Sequence, residues 1–357
     1  MTIALPTFSP GTQLYKYHLI SWLGQGSFGQ VWHAVDRALN REYAIKILNP
    51  GLTVDERLRE ARIGHTLAHN NLIKIHQADV VDMEAGDLVI LAMDKQANGS
   101  AEKLANPAGY LPLPDALRLS RDILQGLDYL HANNFFHNDI KPGNILLGSQ
   151  GQGILSDYGI TGVSAKGEPA TATASYVLHR APEVVSCGQI DVATDIFQVG
   201  MTLYRMLVGL SSLSAKQAQL GPVAFDAALA NGTLITRGDF PDHIPSMVRR
   251  IVLKAIHPNT EERFKSSLDM RRQLEGLNFR GFWSVDPTGA EIGQCPAYHY
   301  RFAVTYAGAG LNDIRCEKTN RVTGVSRRIS KFCKTGLNQK QLDQEIKSIK
   351  IHVVEGK

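Results

Sequence analysis

The chain has 357 residues, of which 43% are hydrophobic and 20% charged, so it is long enough for two or three globular units and too apolar to be intrinsically disordered. The net charge of +4 is uneven, because residues 301–357 hold 12 Lys and Arg against 5 Asp and Glu. Four cysteines are too few for a disulfide scaffold, and neither a signal peptide nor an apolar run of roughly 18 residues is evident. The sequence therefore predicts a globular, cytoplasmic protein without a membrane span.

Two regions of different character follow each other along most of the chain. Short apolar runs between turn residues predict a small antiparallel sheet over residues 15–91, interrupted by one helix at 54–67 behind a Thr53–Glu56 capping-box pattern. Long helical patterns dominate residues 114–277, for example over 116–131, 194–208 and 246–257. A β-rich part followed by a helical part predicts a cleft between them, which is a common place for a ligand.

The pattern changes again after Leu277. Alternating apolar and polar residues from Tyr298 to Tyr306 predict a half-buried strand, and further strands are predicted over 314–319 and 325–333. Asn338 is placed to cap a helix with Leu342, Ile346 and Ile349 on one face. We therefore expect a small α+β domain at the end of the chain.

The first motif is a glycine-rich stretch between two predicted strands, Leu23, Gly24, Gln25, Gly26, Ser27, Phe28, Gly29, Gln30 and Val31. Glycine lets backbone amides approach a phosphate closely, because no Cβ intervenes. With 32 glycines in the chain this spacing alone is a weak signal, and an ordinary glycine-rich hairpin has the same pattern. Its position between strands argues against a dinucleotide-binding fold, in which the motif opens a helix.

A lysine, Lys46, ends the short β-like run that follows the glycine stretch. Such a lysine can bind nucleotide phosphates if a carboxylate holds it, and Glu60 in the predicted helix is the candidate partner. Glu56 is a rival that lies closer to the start of the helix. Taken singly, these residues also fit an ordinary strand lysine and a solvated helix glutamate.

The most specific segment is His137, Asn138, Asp139, Ile140, Lys141, Pro142, Gly143 and Asn144, followed at Asp157 by Asp, Tyr, Gly. This segment resembles the catalytic loop and the metal-binding motif of protein kinases. Its ordered combination with the glycine stretch and Lys46 excludes coincidence. Over roughly three quarters of its length the chain is similar to the eukaryotic-like serine/threonine protein kinases, and the order His, Asn, Asp resembles bacterial or phage members.

The resemblance implies a role for each motif residue in the transfer of a γ-phosphoryl group, a reaction that depends on positioning and charge neutralisation. Asp139 would orient the substrate hydroxyl and accept its proton, and Lys141 would contact the γ-phosphate. Lys46 would hold the α- and β-phosphates, with Glu60 as its ion-pair partner. The implied ligands of Mg²⁺, or alternatively Mn²⁺, are Asn144 and Asp157.

The resemblance also implies an ATP site. Asp94 and Gln96 would offer backbone groups to the adenine beside a gatekeeper methionine, Met93. The adenine slot would be lined by Leu23, Val31, Ala44 and Leu146. The complete set of expected ATP contacts is Leu23, Gly24, Gln25, Gly26, Ser27, Phe28, Gly29, Val31, Ala44, Lys46, Met93, Asp94, Gln96 and Leu146.

Further kinase features imply a protein acceptor. Residues 181–183 (Ala, Pro, Glu) would close an activation segment, and Asp195 would brace the catalytic loop, a set that small-molecule kinases of related fold generally lack. Lys141, two residues after Asp139, resembles serine/threonine rather than tyrosine kinases. The implied function is transfer of phosphate from Mg-ATP to Ser or Thr hydroxyls of proteins, including autophosphorylation.

Three positions depart from the family pattern. Asn138 stands where many kinases have an arginine that clamps a phosphate on the activation segment, so we expect constitutive or partner-driven activity. Tyr158 replaces the common phenylalanine. Gly64 lies where a bulky apolar residue often packs, and we expect this loss of contact to loosen the helix that contains Glu60.

The alternative function is a catalytically weak or inactive kinase-fold adaptor that acts through its basic C-terminal domain. A cluster of seven basic residues within twenty could bind an acidic protein surface, anionic lipid or nucleic acid, although a solvated basic face or docking onto the kinase lobes is the commoner explanation. Nucleic acid is not favoured, because aromatic residues do not interleave with the basic ones. The cluster consists of Arg315, Lys318, Arg321, Arg327, Arg328, Lys331 and Lys334.

Two smaller features of this region allow functional interpretations. Cys295, His299, Cys316 and Cys333 lack the paired spacing of a zinc site, so buried free thiols are favoured over a metal set. Ser330, behind Arg327 and Arg328, resembles a substrate site of basophilic kinases and is a weak autophosphorylation candidate.

The predicted fold class is thus α+β. A bilobal protein-kinase fold is expected over residues 14–278, with an antiparallel β N-lobe containing one helix (14–94) and a mostly helical C-lobe (97–278). A small basic α+β domain is expected over 279–357.

Overall fold

The computed structural model describes residues 7–26, 29–49, 53–83, 86–157, 162–163, 169–171 and 176–356; the side chains of residues 56, 59, 60, 63, 162 and 163 lie outside this description. The chain divides into two compact units. One is formed by Met1–Ala101 with Asp122–Asp195, and the other by Glu102–Arg121 with Ile196–Lys357.

The first unit contains a six-stranded antiparallel sheet in the order β1-β2-β3-β4-β6-β5. Its strands are β1 (Gln13–Leu14), β2 (Tyr17–Gly26), β3 (Gly29–Asp36), β4 (Arg41–Leu48), β5 (Ile75–Val81) and β6 (Leu88–Met93). Helix α1 (Val54–Thr66) follows β4 and packs on β5 and β6. The predicted sheet with one inserted helix is confirmed.

The sheet has two different faces, because successive side chains of a strand point to opposite sides. Trp32 and Ile45, which pair across β3 and β4, belong to the apolar core on one face. Val31 pairs with Lys46 in the same ladder and Ala44 pairs with Met93, so these four residues share the other face. That second face carries the predicted contacts to ATP.

Helix α2 (Leu113–Ala132) contributes residues to both units, and short strand pairs follow it in the first unit. Leu155 joins the segment that follows α1, since its N–H donates to the Asn71 carbonyl (2.8 Å) and its carbonyl accepts from Ile73 N–H (2.9 Å). These bonds fix the chain just before Asp157. The pairs are β7 (Phe135–Phe136) with β10 (Gly162–Val163), β8 (Ile145–Leu147) with β9 (Gly153–Leu155), and β11 (Ala170–Thr171) with β12 (Gln189–Ile190).

The remaining helices of the kinase-like region are α3 (Pro182–Cys187), α4 (Val192–Val208), α5 (Ser212–Leu220), α6 (Pro222–Ala230), α7 (Ser246–Ala255) and α8 (Ser267–Glu275). The central helix α4 is buried along most of its length, and Gly200 lets it approach α7 closely, since a Cβ there would lie 2.8 Å from the Ala255 Cβ. In the described part of the chain no single helix has the length and hydropathy to cross a membrane, and α4 and α5 reach them only together, with a 100° bend between them.

A second six-stranded antiparallel sheet follows, in the order β13-β14-β15-β16-β17 with β18 also paired to β16. Its elements are β13 (Phe282–Val285), β14 (Glu291–Gln294), β15 (Tyr298–Gly308), β16 (Leu311–Asn320), β17 (Ser326–Arg328), β18 (Lys334–Leu337) and helix α9 (Gln339–Glu355). Asn338 caps α9 in a capping box, as predicted, and Leu342, Ile349 and Val353 of α9 are buried. The α+β fold class is therefore confirmed for the whole chain.

Burial of the β15–β16 hairpin differs from the prediction of a half-buried strand. Phe302 is partly buried, but Val304 and Tyr306, which continue the same alternation, are 41% and 71% exposed. The alternation of apolar and polar residues predicts which side chains share a face of the sheet. It does not predict how much of that face is covered by the rest of the protein. The third predicted strand is also shorter than expected, because β17 is followed by a 3₁₀ turn over Ser330–Phe332.

Candidate active site

The glycine stretch joins β2 to β3, with Ser27 and Phe28 outside the described residues. Gly29 has φ +154°, and a Cβ there would collide with the Ile47 carbonyl, so the fold itself requires this glycine. A Cβ at Gly24 or Gly26 would meet none of the described atoms within 4 Å. Packing among the described residues does not explain these two glycines, whereas close approach of a ligand to the backbone would.

The predicted adenine slot lies on the second face of the sheet and on β8. Ala44 and Met93 are buried, Val31 and Leu146 are half-buried, and Leu23 is exposed. Leu146 is fixed by a bridge to Ser100. These residues form an apolar surface of the kind that a flat aromatic ring would contact.

The two backbone groups expected to contact the base are open. Asp94 N–H donates to the Lys74 carbonyl (3.1 Å), and the Gln96 carbonyl accepts from Gly99 N–H (3.3 Å). The Asp94 carbonyl and the Gln96 N–H have no hydrogen-bond partner among the residues that the structure describes. An acceptor and a donor are thus available at the positions that the sequence predicted.

Lys46 is buried, and its Nζ lies 2.6 Å from Asp157 Oδ1. Burial opposes the charge of Asp157, but the attraction and hydrogen bond of Lys46, with a further contribution from Lys141, hold the pKa of Asp157 below its usual range. Asp157 is therefore an anion at neutral pH. The side chain of Glu60 lies outside the described residues, so its pairing with Lys46 stays a prediction.

Asp139 is almost fully buried, and two neighbours fix its carboxylate. Its Oδ2 accepts hydrogen bonds from Lys141 Nζ (2.7 Å) and Asn144 Nδ2 (2.8 Å), and Asn144 Nδ2 also contacts the Asp139 carbonyl (2.8 Å). Burial raises the pKa of Asp139, and Lys141 partly offsets this rise. A raised pKa makes the carboxylate a better proton acceptor, and the two donors hold it in one orientation.

His137 connects the catalytic loop to the metal motif. Burial lowers its pKa, so the ring is neutral and has one donor and one acceptor nitrogen. Asp139 N–H donates to Nδ1 (3.2 Å), so Nε2 carries the proton and donates to the Ser156 carbonyl (3.1 Å). The buried His137 ring thereby connects Asp139 to Ser156, the residue that precedes Asp157.

Asp195, in the first turn of α4, braces the same loop. Its buried carboxylate accepts hydrogen bonds from the backbone N–H groups of His137 (2.9 Å) and Asn138 (2.8 Å) and is paired with His131 Nε2 (2.8 Å). Asn138 has φ 59°, a left-handed conformation that asparagine adopts more readily than most residues. Asp195 was predicted from the sequence, but the backbone conformation at Asn138 was not predictable from the motif.

The predicted metal ligands have the chemistry of a magnesium site. Asn144 uses its amide nitrogen for Asp139, while its Oδ1 accepts no bond from any described residue. Asp157 uses Oδ1 for Lys46. Within the described residues no group of three His, Cys, Asp or Glu could hold a metal ion, so a cation here would take its other ligands from phosphate and water, as Mg²⁺ usually does.

The four cysteines form no disulfide. All four are free thiols, and only Cys316 is fully buried. Cys333 Sγ contacts the Cys316 backbone, whereas Cys295 Sγ lies 3.8 Å from the Tyr300 hydroxyl. The favoured interpretation as free thiols agrees with these contacts, although burial is partial for Cys295 and Cys333.

Two contacts at the end of the activation segment were missed by the sequence analysis. Lys141 Nζ lies 4.7 Å from the centre of the Tyr176 ring, and His179 Nδ1 bonds to the Ile140 carbonyl (2.7 Å). Both join residues more than thirty positions apart, and nothing in the local pattern indicates them. Tyr158, Thr173 and Ser175 lie outside the described residues.

The space beside Gly64 is filled. Ile75, a buried residue of β5, places its Cδ1 and Cγ1 atoms where a Gly64 Cβ would lie. The bulky apolar group therefore comes from the sheet rather than from the helix. The sequence does not show which strand residue faces α1, and the expectation of a looser helix stays a prediction, because Tyr158 of the metal motif lies outside the described residues.

The protein kinase domain family model matches residues 17–272, more than two thirds of the chain. The chain belongs to this family. It is similar to the serine/threonine-protein kinase PknB of Mycobacterium leprae (strain TN), with 26% identity over 267 residues, and to PknK of Mycobacterium bovis (strain ATCC BAA-935 / AF2122/97), with 29% identity over 282 residues. These alignments cover 72% and 76% of this chain but 42% and 24% of the relatives, so the chain spans less than half of their length.

Proposed function

We propose that this protein is an active serine/threonine protein kinase that transfers the γ-phosphoryl group of Mg-ATP to Ser or Thr hydroxyls of proteins. The observation that carries the proposal is the buried Asp139 carboxylate, held by Lys141 and Asn144 and linked through His137 to the strand before Asp157. A structural scaffold has no need to keep an ionisable group buried and oriented in this way.

In this proposal each motif residue acts at a stated atom. The Asp139 carboxylate accepts the hydroxyl proton of the acceptor residue, and its raised pKa favours this step. Lys141 Nζ reaches from Asp139 to the γ-phosphate, and Lys46 Nζ contacts the α- and β-phosphates beside Asp157. Asn144 and Asp157 would hold Mg²⁺, or Mn²⁺ as an alternative, which supplies charge neutralisation when bound.

The decisive test is phosphotransfer from radiolabelled ATP by wild-type protein and by Asp139→Asn. We expect this variant to lose roughly 10²- to 10⁴-fold in rate, because it lacks a general base. Asp343→Asn, a charge-matched change of an exposed residue in α9, should retain full activity. Circular dichroism would check that both variants are folded, and equal labelling by wild type and Asp139→Asn would instead support the kinase-fold adaptor.

Activity without phosphorylation of the activation segment is a second part of the proposal. It is supported by Asn138, which cannot clamp a phosphate as arginine does. The triple change Thr171→Ala, Thr173→Ala and Ser175→Ala should therefore leave most of the activity. A folded but inactive triple variant would refute this part alone.

The substrates and partners of the chain are also proposals. Ser330 is exposed, follows Arg327 and Arg328, and is a candidate autophosphorylation site. Phosphopeptide mapping after incubation with ATP tests it, and an unmodified Ser330 beside other labelled sites would exclude it. An acidic partner of the C-terminal domain and a cytoplasmic location are proposed on charge and composition only.

A further inference from the structure

A cavity of about 550 Å³ lies in the second unit, outside the candidate active site. Its walls come from the first half of α2, from the chain that connects α8 to β13, and from the segments around residues 295 and 321. The size is that of a small-molecule site. Three arginines line the cavity, and the described lining residues include no Asp or Glu.

Arg121, Arg280 and Arg321 come together in one cavity and form no ion pair with any residue that the structure describes. Several other basic side chains of this unit do form ion pairs. Arg321 instead donates weakly to the Cys295 carbonyl (3.4 Å). The paired residues are Lys216 with Asp239, Lys347 with Asp242, and Lys350 with Glu291.

Like charges in one cavity repel each other, and an anion bound among them would remove this repulsion. The guanidinium group presents several donors in a fixed plane that matches the oxygens of a phosphate. Three such groups match a phosphate monoester, which has three terminal oxygens and a charge of about −2, better than a carboxylate with two oxygens. The charge pattern therefore favours a phosphate group.

The rest of the lining is apolar. Leu113, Leu117 and Arg121 are spaced four residues apart on α2, so they share one face of the helix and place two buried leucines next to a charged group. Phe282 and Leu277, both partly buried, line the cavity from the connecting segment. A ligand that fits has an apolar body as well as an anionic group.

The backbone around the cavity is fixed by hydrogen bonds. Arg280 N–H donates to the Val354 carbonyl (2.8 Å) and Arg321 N–H to the Ala297 carbonyl (3.0 Å). Gly281 is packed so tightly that a Cβ would lie 2.8 Å from the Val353 carbonyl and collide with that of Gln294. Binding therefore needs no ordering of the backbone at these positions, which removes one part of the cost of forming a site.

We propose that this cavity binds a phosphate monoester with an apolar body. The phosphate contacts Arg121, Arg280 and Arg321, and the apolar body contacts Leu113, Leu117 and Phe282. A soluble phosphate ester and the headgroup of an anionic lipid such as phosphatidic acid share this chemistry. The proposal does not depend on phosphotransfer by the active site.

The test is calorimetric titration of the full chain with hexyl phosphate, inorganic phosphate and hexanol. Hexyl phosphate should bind at least about tenfold more tightly than inorganic phosphate, because its chain is buried, and hexanol should show no saturable binding. The double change Arg280→Gln and Arg321→Gln should weaken hexyl phosphate binding roughly tenfold or more. Arg315→Gln with Arg328→Gln removes the same charge from residues outside the cavity and should change affinity less than about twofold.

Absence of saturable binding to the wild type, or equal weakening by the two double variants, would overturn the proposal. If the cavity variant does not fold, Arg121→Gln replaces it with the same expected loss. Sedimentation with phosphatidic acid vesicles distinguishes the sources. Cavity-dependent sedimentation assigns the ligand to a lipid, and its absence beside hexyl phosphate binding assigns it to a soluble ester.

Discussion

The candidate active site and the proposed phosphate cavity treat positive charge in opposite ways. Lys46 and Lys141 lie 2.6 and 2.7 Å from carboxylate oxygens of the protein, whereas the three cavity arginines have no carboxylate beside them in the described structure. An internal partner fixes a cation in place and lowers the local net charge. A cation without an internal partner remains free to attract an anionic ligand. Removal of a cation should therefore have different consequences in the two regions.

The largest effect is expected for Lys46→Met, which breaks the pair with Asp157. Phosphotransfer should fall by roughly 10²- to 10³-fold or more, since a preorganised charge at the phosphates is lost. Lys16→Met is the matched control, because Lys16 pairs with Asp79 at a more exposed position of the same unit. Steady-state kinetics with a protein substrate would measure both, and similar losses in the two variants would contradict the role given to Lys46.

A smaller and more specific effect is expected in the pH profile of Lys141→Ala. Activity requires ionised Asp139, so kcat/KM should fall as the pH drops through the pKa of Asp139, which burial raises above the usual aspartate value. Lys141 lowers that pKa, so its removal should move the acid limb to higher pH. The comparison is with Lys265→Ala, whose exposed pair with Glu261 lies outside the site. An acid limb that stays in place or moves to lower pH would refute the coupling.

The smallest effect concerns the free energy of unfolding. Lys46→Met should lower it by about 1–3 kcal/mol, because the partly buried Asp157 loses its counter-charge and a hydrogen bond. Arg280→Gln should change it by less than about 0.5 kcal/mol, or raise it, since the arginine leaves no unpaired carboxylate behind. Urea unfolding of the two variants measures this contrast, and equal destabilisation would show that the cavity arginine has an internal partner after all.

The candidate site was largely predictable from the sequence because many of its residues lie close together along the chain. Asp139, Lys141 and Asn144 lie within six positions, and their spacing alone places them on one loop. Lys46 and Asp157 are 111 positions apart; only the resemblance to kinases assigned both to one site, and their direct contact was not predicted. Composition and periodicity gave the sheet, the helices and the cap at Asn338, but not the filling of the space beside Gly64.

In the basic C-terminal cluster, closeness in the sequence does not mean closeness in the structure. Arg315 and Lys318 point to opposite faces of β16, and Lys334 pairs with Glu345 of α9. Among the cavity arginines only Arg321 belongs to the predicted cluster, because Arg121 and Arg280 come from distant parts of the chain. Basic residues that are close in the sequence are therefore separated onto opposite faces of a strand. Basic residues that are distant in the sequence are brought into one cavity by tertiary packing.

The hydrogen-bonding state of His137 has a further consequence for measurement. Its Nε2 proton is fully buried and bonded to the Ser156 carbonyl, so exchange of that proton with solvent requires the loop to open. The exchange rate of one imidazole proton would then report how often the segments carrying Asp139 and Asp157 separate. A single nuclear magnetic resonance signal could thus follow the integrity of the whole catalytic loop, independently of any substrate.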